Sequence, residues 1–168
     1  MDASRKLNQR LQGAKLAAEE QATTDTLTGL KNRRAADRIL AQSIEDGRAF
    51  ALMHLDLDFF KAVNDTKGHA AGDFVLQDVA KVMRAETRKS DMIARVGGDE
   101  FLIVLDSSYT EFAANERAKA LKQHIENRPL HWKGSVITPS ISIGVVVYYP
   151  DIPTTQEELL HTADHNMY

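Results

Sequence analysis

The stretch Met92-Ile93-Ala94-Arg95-Val96-Gly97-Gly98-Asp99-Glu100-Phe101-Leu102-Ile103-Val104-Leu105 carries the strongest fold signal in the chain. Two β-like runs, Met92 to Val96 and Phe101 to Leu105, flank Gly97-Gly98-Asp99-Glu100, the pattern of a tight hairpin with acids at its turn. Upstream, Phe50-Ala51-Leu52-Met53-His54-Leu55 is nearly continuously apolar and too short for a lone helix, which predicts a buried strand delivering Asp56 at its end. If this strand lies beside the hairpin in one sheet, Asp56-Leu57-Asp58 meets Asp99-Glu100.

Helical segments separate these strands. Ala36, Ile39, Leu40 and Ile44 give one apolar face that stops at Gly47. Phe74, Leu76, Val79, Ala80 and Met83 give a second, ending in the charged stretch from Arg84 to Lys89. Ser108 and Glu111 have capping-box spacing before a helix through Ala118, Leu121 and Ile125. Thr155 and Glu158 repeat that spacing before a last helix with Leu159, Leu160, Ala163 and Met167 on one side, and Trp132 to Thr138 with Ile141 to Tyr148 read as a strand pair around Pro139. The order implies an α/β (α+β) domain, a mixed sheet layered with helices of the ferredoxin-like or polymerase-palm type. Before it, Arg5 to about Gln21 lacks proline and spaces Leu7, Leu11, Ala14 and Ala18 in alternating fours and threes. That spacing predicts either a bundled signalling stalk over residues 1–22 or an amphipathic helix docking on its own domain, residues 23–168. Asp25-Thr26-Leu27-Thr28-Gly29-Leu30 breaks the helix and marks the boundary.

Composition limits the chemistry. With 168 residues, 43% of them hydrophobic, the chain suits one globular domain. A net charge of -3 argues against a non-specific nucleic-acid binder. The lack of cysteine removes disulfides, thiolate catalysis and cysteine-ligated zinc. No signal-peptide core or membrane-length run is present, so the expectation is a soluble cytoplasmic chain without direct membrane contact, although a longer parent could be anchored.

Carboxylates held close together repel, and a hard divalent cation relieves that repulsion. Mg²⁺ takes few carboxylates and keeps water and phosphate as its other ligands, so Asp56, Asp99 and Glu100 in proximity suit phosphoryl or nucleotidyl transfer. Asp58 is either a member of this cluster or a turn-capping acid. Gly97 and Gly98 leave no side chain at the turn, so a triphosphate could approach the backbone amides. Phe59-Phe60-Lys61-Ala62-Val63-Asn64-Asp65 offers a lysine for a phosphate and an asparagine for a base. Asp73 is either the N-cap of the following helix or an acceptor for guanine N1-H and its 2-amino group, which would reject adenine.

Taken together these residues resemble the GGDEF domains, the diguanylate cyclases. Gly97-Gly98-Asp99-Glu100-Phe101 is their signature, preceded by Asp25-Thr26-Leu27-Thr28-Gly29-Leu30-Lys31-Asn32-Arg33 and by Asp56-Leu57-Asp58-Phe59-Phe60-Lys61 with Asn64-Asp65 and Gly68-His69. Ser142-Ile143-Gly144-Val145 and Ala163-Asp164 with Met167-Tyr168 match later landmarks. The resemblance implies a mostly antiparallel sheet of about five strands wrapped by helices. It implies two Mg²⁺ (or Mn²⁺) ions per site, bound by Asp56, the Leu57 carbonyl and Asp99, with Glu100 at the metal and helping to activate a 3′-hydroxyl. Asn64 and Asp73 would bind guanine; Phe59, Phe60 and Lys61 would contact phosphates. Two subunits, each holding one GTP, would meet face to face to make cyclic di-GMP, and a monomer would be inactive.

Arg88-Lys89-Ser90-Asp91 has the RxxD form and spacing of the family's inhibitory site for its product; read from chemistry alone it is a solvated pair at a helix end. The family continues past the Met167-Tyr168 position with a lysine and an arginine for the terminal phosphates, so the resemblance implies either a trimmed sequence or a weakened triphosphate grip. Asn166 replaces a small apolar residue, which predicts looser packing of the last helix. His54 reads as a hydrogen-bonded core residue and Trp132 as core or edge packing. The rival functions are a catalytically idle domain that senses GTP or cyclic di-GMP, and another palm enzyme such as an adenylyl cyclase, which Asp73 and the GGDEF turn disfavour. The stalk suggests a preceding sensor or receiver domain.

Overall fold

The computed structural model describes residues 2–106 and 109–167, with residues 20 and 21 as backbone only. In chain order the elements are α1 (Asp2–Thr23), α2 (Arg33–Glu45), β1 (Phe50–Leu57), α3 (Phe60–Lys67), α4 (His69–Glu86), β2 (Met92–Arg95), β3 (Glu100–Leu105), α5 (Glu111–Glu126), β4 (Leu130–Trp132), β5 (Ser135–Ile137), β6 (Ile141–Tyr148) and α6 (Gln156–His165). The main sheet has four strands in the order β2-β3-β1-β6, each pair antiparallel, which is the strand order of a ferredoxin-like unit. Lys31 makes a single parallel bridge to Ala94 at the β2 edge, where a fifth strand would lie.

Both faces of this sheet are buried, which is why β1 reads as an unbroken apolar run rather than an alternation. On one face Ala51, Met53, Leu55 and Leu57 pack with Phe101, Ile103, Val75, Val79, Leu121 and Ile125, under α4 and α5. On the other, Phe50 and Leu52 pack with Leu102, Val104, Leu40, Leu159 and Ala163, under α2 and α6. The apolar faces read from the sequence for α2 and α4 are therefore the buried ones.

The structure corrects several local expectations. Ile141 to Tyr148 does not pair with the preceding run: it pairs with β1 along its whole length, and β4 with β5 forms a separate hairpin. The reason is the turn Lys133-Gly134, whose φ angles of 44° and 80° close a two-residue hairpin without help from Pro139. The cap of α5 is Thr110, whose hydroxyl accepts from the Ala113 amide, while Ser108 lies outside the described residues. Thr155 does cap α6 by accepting from the Glu158 amide, but α6 ends at His165 and leaves Met167 beyond it. Asn166 is the C-cap of α6 and its side-chain amide donates to the Val145 carbonyl at 3.0 Å, so it ties the helix to β6 rather than loosening it. Tyr168 lies outside the described residues.

In α1, residues 2–19 are exposed, including Leu7, Leu11 and Leu16, so over that length the helix does not dock on its own domain. Its end is fastened by Asn32, whose side chain donates to the Ala22 carbonyl and whose backbone amide donates to Thr23. Among the described residues no helix is long and apolar enough to cross a membrane.

Gly144 sits in β6 opposite His54, where α6 presses directly on the strand. A Cβ there would collide with the Ala163 carbonyl and lie 2.9 Å from the Met167 amide nitrogen. Gly144→Ala should therefore cost about 1–3 kcal/mol through overpacking. Urea denaturation measures this, and an unchanged midpoint would contradict the close approach of α6.

Candidate active site

The site is assembled by strand register. In the antiparallel β1–β3 pair Asp56 stands opposite Glu100, and β6 sets Ser142 against Asp56 from the other side. The Leu57 amide donates to the Asp99 carbonyl at 3.0 Å, which fastens the acidic turn to the end of β1. Side chains alternate across a strand, so His54, Asp56 and Glu100 point to the face covered by α2 and α6.

Asp56 is the electrostatic centre. Its Oδ1 is buried without a hydrogen-bond partner. Its carboxyl is pushed from an ordinary 3.8 up to about 6 by burial, then by the negative charges of Asp99 and Glu100, hydrogen-bonding contact with Asp99 and the charge of Asp58. Asp58 plays the bracing part: its oxygens accept from the hydroxyls of Ser140 at 2.8 Å and Ser142 at 2.7 Å.

Among the described residues no three His, Asp or Glu side chains converge as a ready-made metal cage. A partial shell nevertheless fits Mg²⁺ or Mn²⁺, which share their coordination with water and substrate phosphate. The buried, unpartnered Oδ1 of Asp56 is the acceptor such a cation would satisfy.

The glycine turn is braced by a residue the sequence reading passed over. Arg95, at the end of β2, donates from Nε and Nη2 to the Gly98 carbonyl at 3.1 and 2.9 Å, and from Nη1 to Asp25 at 3.1 Å. Asp25 also accepts from the amide and hydroxyl of Thr28, so the segment after α1 is linked to the acidic turn. The available signal was an arginine at a strand end two residues before the paired glycines. The sequence predicts a hydrogen-bonded core histidine at position 54. His54 lies instead between two acids, Nε2 at 3.6 Å from Glu100 and Nδ1 at 3.5 Å from Asp164, and Nδ1 makes no hydrogen bond.

Phe59 begins the loop side of the site. It holds φ at 59°, uncommon for a residue with a side chain, and is 78% exposed. It precedes α3, a helix missing from the sequence reading, whose N-terminus has no side-chain cap and so leaves main-chain amides free for an anion. Phe60 turns its ring to the core, which leaves its amide for that role; Lys61 is exposed. Asn64 lies on α3 and Asp73 on α4. Gly68 occupies the N-cap position of α4, which places Asp73 in the helix and removes the capping role.

Arg88 and Asp91 lie past the end of α4. The Asp91 carboxylate accepts from the backbone amides of Arg88 at 2.8 Å and Asp106 at 3.1 Å, so it closes the turn rather than pairing with a helix-end arginine. Asp91, Lys89, Lys31 and Arg84 line an open cavity of about 430 Å³ beside that turn. Trp132 is a packing residue, its ring 5.2 Å from Phe74.

Known proteins resemble this chain in sequence and in fold. The chain is 35% identical over 156 residues to Diguanylate cyclase A of Treponema denticola, covering 89% of this chain and 42% of that protein. It is 40% identical over 151 residues to the bifunctional diguanylate cyclase/cyclic di-GMP phosphodiesterase MucR of Pseudomonas aeruginosa, covering 88% of this chain and 22% of that protein. The chain thus spans less than half the length of these curated relatives. Among solved structures, the coiled coil and GGDEF domain of DgcB from Caulobacter crescentus, in complex with c-di-GMP, superposes with a TM-score of 0.87 at 28% identity, over 96% of this chain and 87% of that one. The sequence model described as "Diguanylate cyclase, GGDEF domain" matches residues 22–168, from the last turn of α1 onward and across the very turn whose acids crowd Asp56, and so the chain belongs to the GGDEF family.

Proposed function

We propose that this chain is the catalytic domain of a diguanylate cyclase, which condenses two GTP into cyclic di-GMP and two pyrophosphates. The observation that carries the reading is the unpartnered Oδ1 of Asp56, crowded by Asp99 and Glu100. Two Mg²⁺ or Mn²⁺ ions, when bound, supply a lowered pKa for the attacking hydroxyl and charge neutralisation at the leaving pyrophosphate. Asp56, the Leu57 carbonyl and Asp99 hold them, with Glu100 beside them. Glu100 receives the proton of the 3′-hydroxyl as its oxygen bonds to the α-phosphorus of the other GTP. The bond from that phosphorus to the bridging oxygen breaks, and pyrophosphate leaves with the electron pair.

The chain's own groups fix the substrate. The uncapped start of α3, with Lys61, receives phosphates, and Gly97 and Gly98 let the triphosphate lie against the turn. Asn64 and Asp73 take the guanine edge, and Asp73 excludes adenine because its carboxylate would face an acceptor. One active site holds one GTP, so two copies meet face to face. The exposed apolar residues Leu7 and Leu11 on α1 suit a stalk that sets the geometry of this homodimer under an upstream sensor or receiver domain in the cytoplasm. Arg88 and Asp91 bind the product as an inhibitor, with Arg88 addressing guanine O6 and N7. The alternative is a domain that binds GTP or cyclic di-GMP and makes nothing.

Two outcomes are expected. With GTP and Mg²⁺, the purified chain forms cyclic di-GMP at concentrations where it dimerises, and Asp99→Ala or Glu100→Ala lowers the rate by about a hundred- to a thousandfold, the scale of removing a group that stabilises transition-state charge. Chromatography of the nucleotide products decides this; absence of product from the dimeric parent favours the sensor reading.

The second outcome concerns pH. Because the folded pKa of Asp56 is raised to about 6 from an ordinary 3.8, the folded state holds the proton more tightly than the unfolded state. Without a cation, this group therefore lowers stability as pH rises from about 4 to about 6, and the loss is complete above that window. Mn²⁺ at a fixed concentration just sufficient to fill the site at pH 7 offsets the loss there and stabilises less at pH 5, where it must displace a proton from Asp56. Asp56→Asn removes both effects. Thermal melts of the parent and this variant at the two pH values read the result, and an equal Mn²⁺ shift in both proteins would exclude Asp56 as a ligand.

A further inference from the structure

Gly72 is a buried glycine inside α4, one residue before Asp73. Its φ is not among the positive values in the chain, so the backbone does not require glycine there. Glycine in a helix interior is destabilising relative to alanine, so the missing side chain calls for a steric cause. The cause is Asn64. A Cβ at position 72 would overlap the Asn64 Oδ1 outright, and would lie 3.0 Å from Asn64 Cγ and 3.2 Å from Phe60 Cζ.

The overlap falls on the free end of the Asn64 side chain, so an added methyl group would be accommodated by turning that amide aside. Phe60 packs against the main core and forms one wall of the notch. Asn64 projects from α3, which is joined to α4 only through Gly68 at φ 93°. Among the described residues the Asn64 side-chain amide makes no hydrogen bond to protein, so contact with its neighbours, rather than bonding, sets its orientation.

We propose that Gly72 is a positioning residue for purine recognition: α4 leaves a notch at this position, and the Asn64 amide lies in it with its polar groups free for the base. The inference rests on the reading of Asn64 and Asp73 as guanine ligands and adds what holds the first of them. Both α3 and α4 then act in recognition, α4 by what it carries at Asp73 and by what it lacks at Gly72. A methyl group at position 72 would rotate the amide out of the notch without touching the acidic cluster.

The test is a double-variant cycle read by calorimetric binding of a non-hydrolysable GTP analogue, with the ATP counterpart as control. Asn64→Ala is expected to weaken GTP-analogue binding about tenfold, the scale of one or two lost hydrogen bonds. Gly72→Ala should weaken it by a similar factor and reduce the preference over the ATP analogue, while its melting temperature stays equal or rises with the better helix former. The double variant should bind no worse than Asn64→Ala alone. Parental affinity in Gly72→Ala, or losses that add in the double variant, would overturn the inference while leaving the guanine reading intact. Parental affinity in Asn64→Ala would sink the guanine reading and the inference with it. If Gly72→Ala fails to fold by itself, a folded double variant still supports the notch, because the overlap has gone; an unfolded double variant contradicts it.

Discussion

The register between β1 and β3 is the constraint on which the site depends. With Asp56 opposite Glu100 and the Leu57 amide on the Asp99 carbonyl, three carboxylates are held at one end of a sheet whose two faces are filled with apolar side chains. A slip of one residue would send Asp56 to the opposite face and break the cluster. The cost of holding these charges together is visible at Asp56, whose carboxyl is pushed up to about 6 and whose Oδ1 has no partner. Natural proteins tolerate such local conflict where function requires it.

The surrounding structure keeps that conflict rigid. Arg95 grips the Gly98 carbonyl and reaches Asp25, so the acidic turn is fixed to the segment that follows α1. Ser140 and Ser142 fix the Asp58 carboxylate through their hydroxyls. From the other side α6 closes on Gly144 and sets Asp164 beside His54. Thus the elements covering the sheet also touch the site, and a change in their packing reaches the acids through short, named contacts.

Much of this was legible because it is local. The apolar run of β1, the glycine turn between β2 and β3, and the apolar faces of α2 and α4 each rest on a few neighbouring residues. What escaped the reading depends on distance or on backbone geometry. The short α3 offers only Phe60 and Val63 as packed apolar residues and starts from a left-handed Phe59, so no helical period announces it. The β4–β5 hairpin turns on Lys133, a residue not expected at positive φ. Asp58 meets Ser142 across 84 positions and Arg95 meets Asp25 across 70, pairings that only the assembled sheet creates. Loss of a small apolar residue at position 166 predicts looser packing, whereas the bond from Asn166 to the Val145 carbonyl gives this polar side chain a use that only the assembled fold reveals.

The family signature and the physical reading meet at Asp56, and that atom offers the most direct test. Crystals grown with Mn²⁺ and a non-hydrolysable GTP analogue would show by anomalous scattering where the cation binds. Density at about 2.0–2.6 Å from Asp56 Oδ1, the span of direct bonds from hard divalent cations to oxygen, with Asp99 in the same shell, is the expected result. Mn²⁺ bound elsewhere, with Asp56 Oδ1 still unpartnered beside an occupied nucleotide site, would contradict the assignment of this acidic cluster as the metal centre.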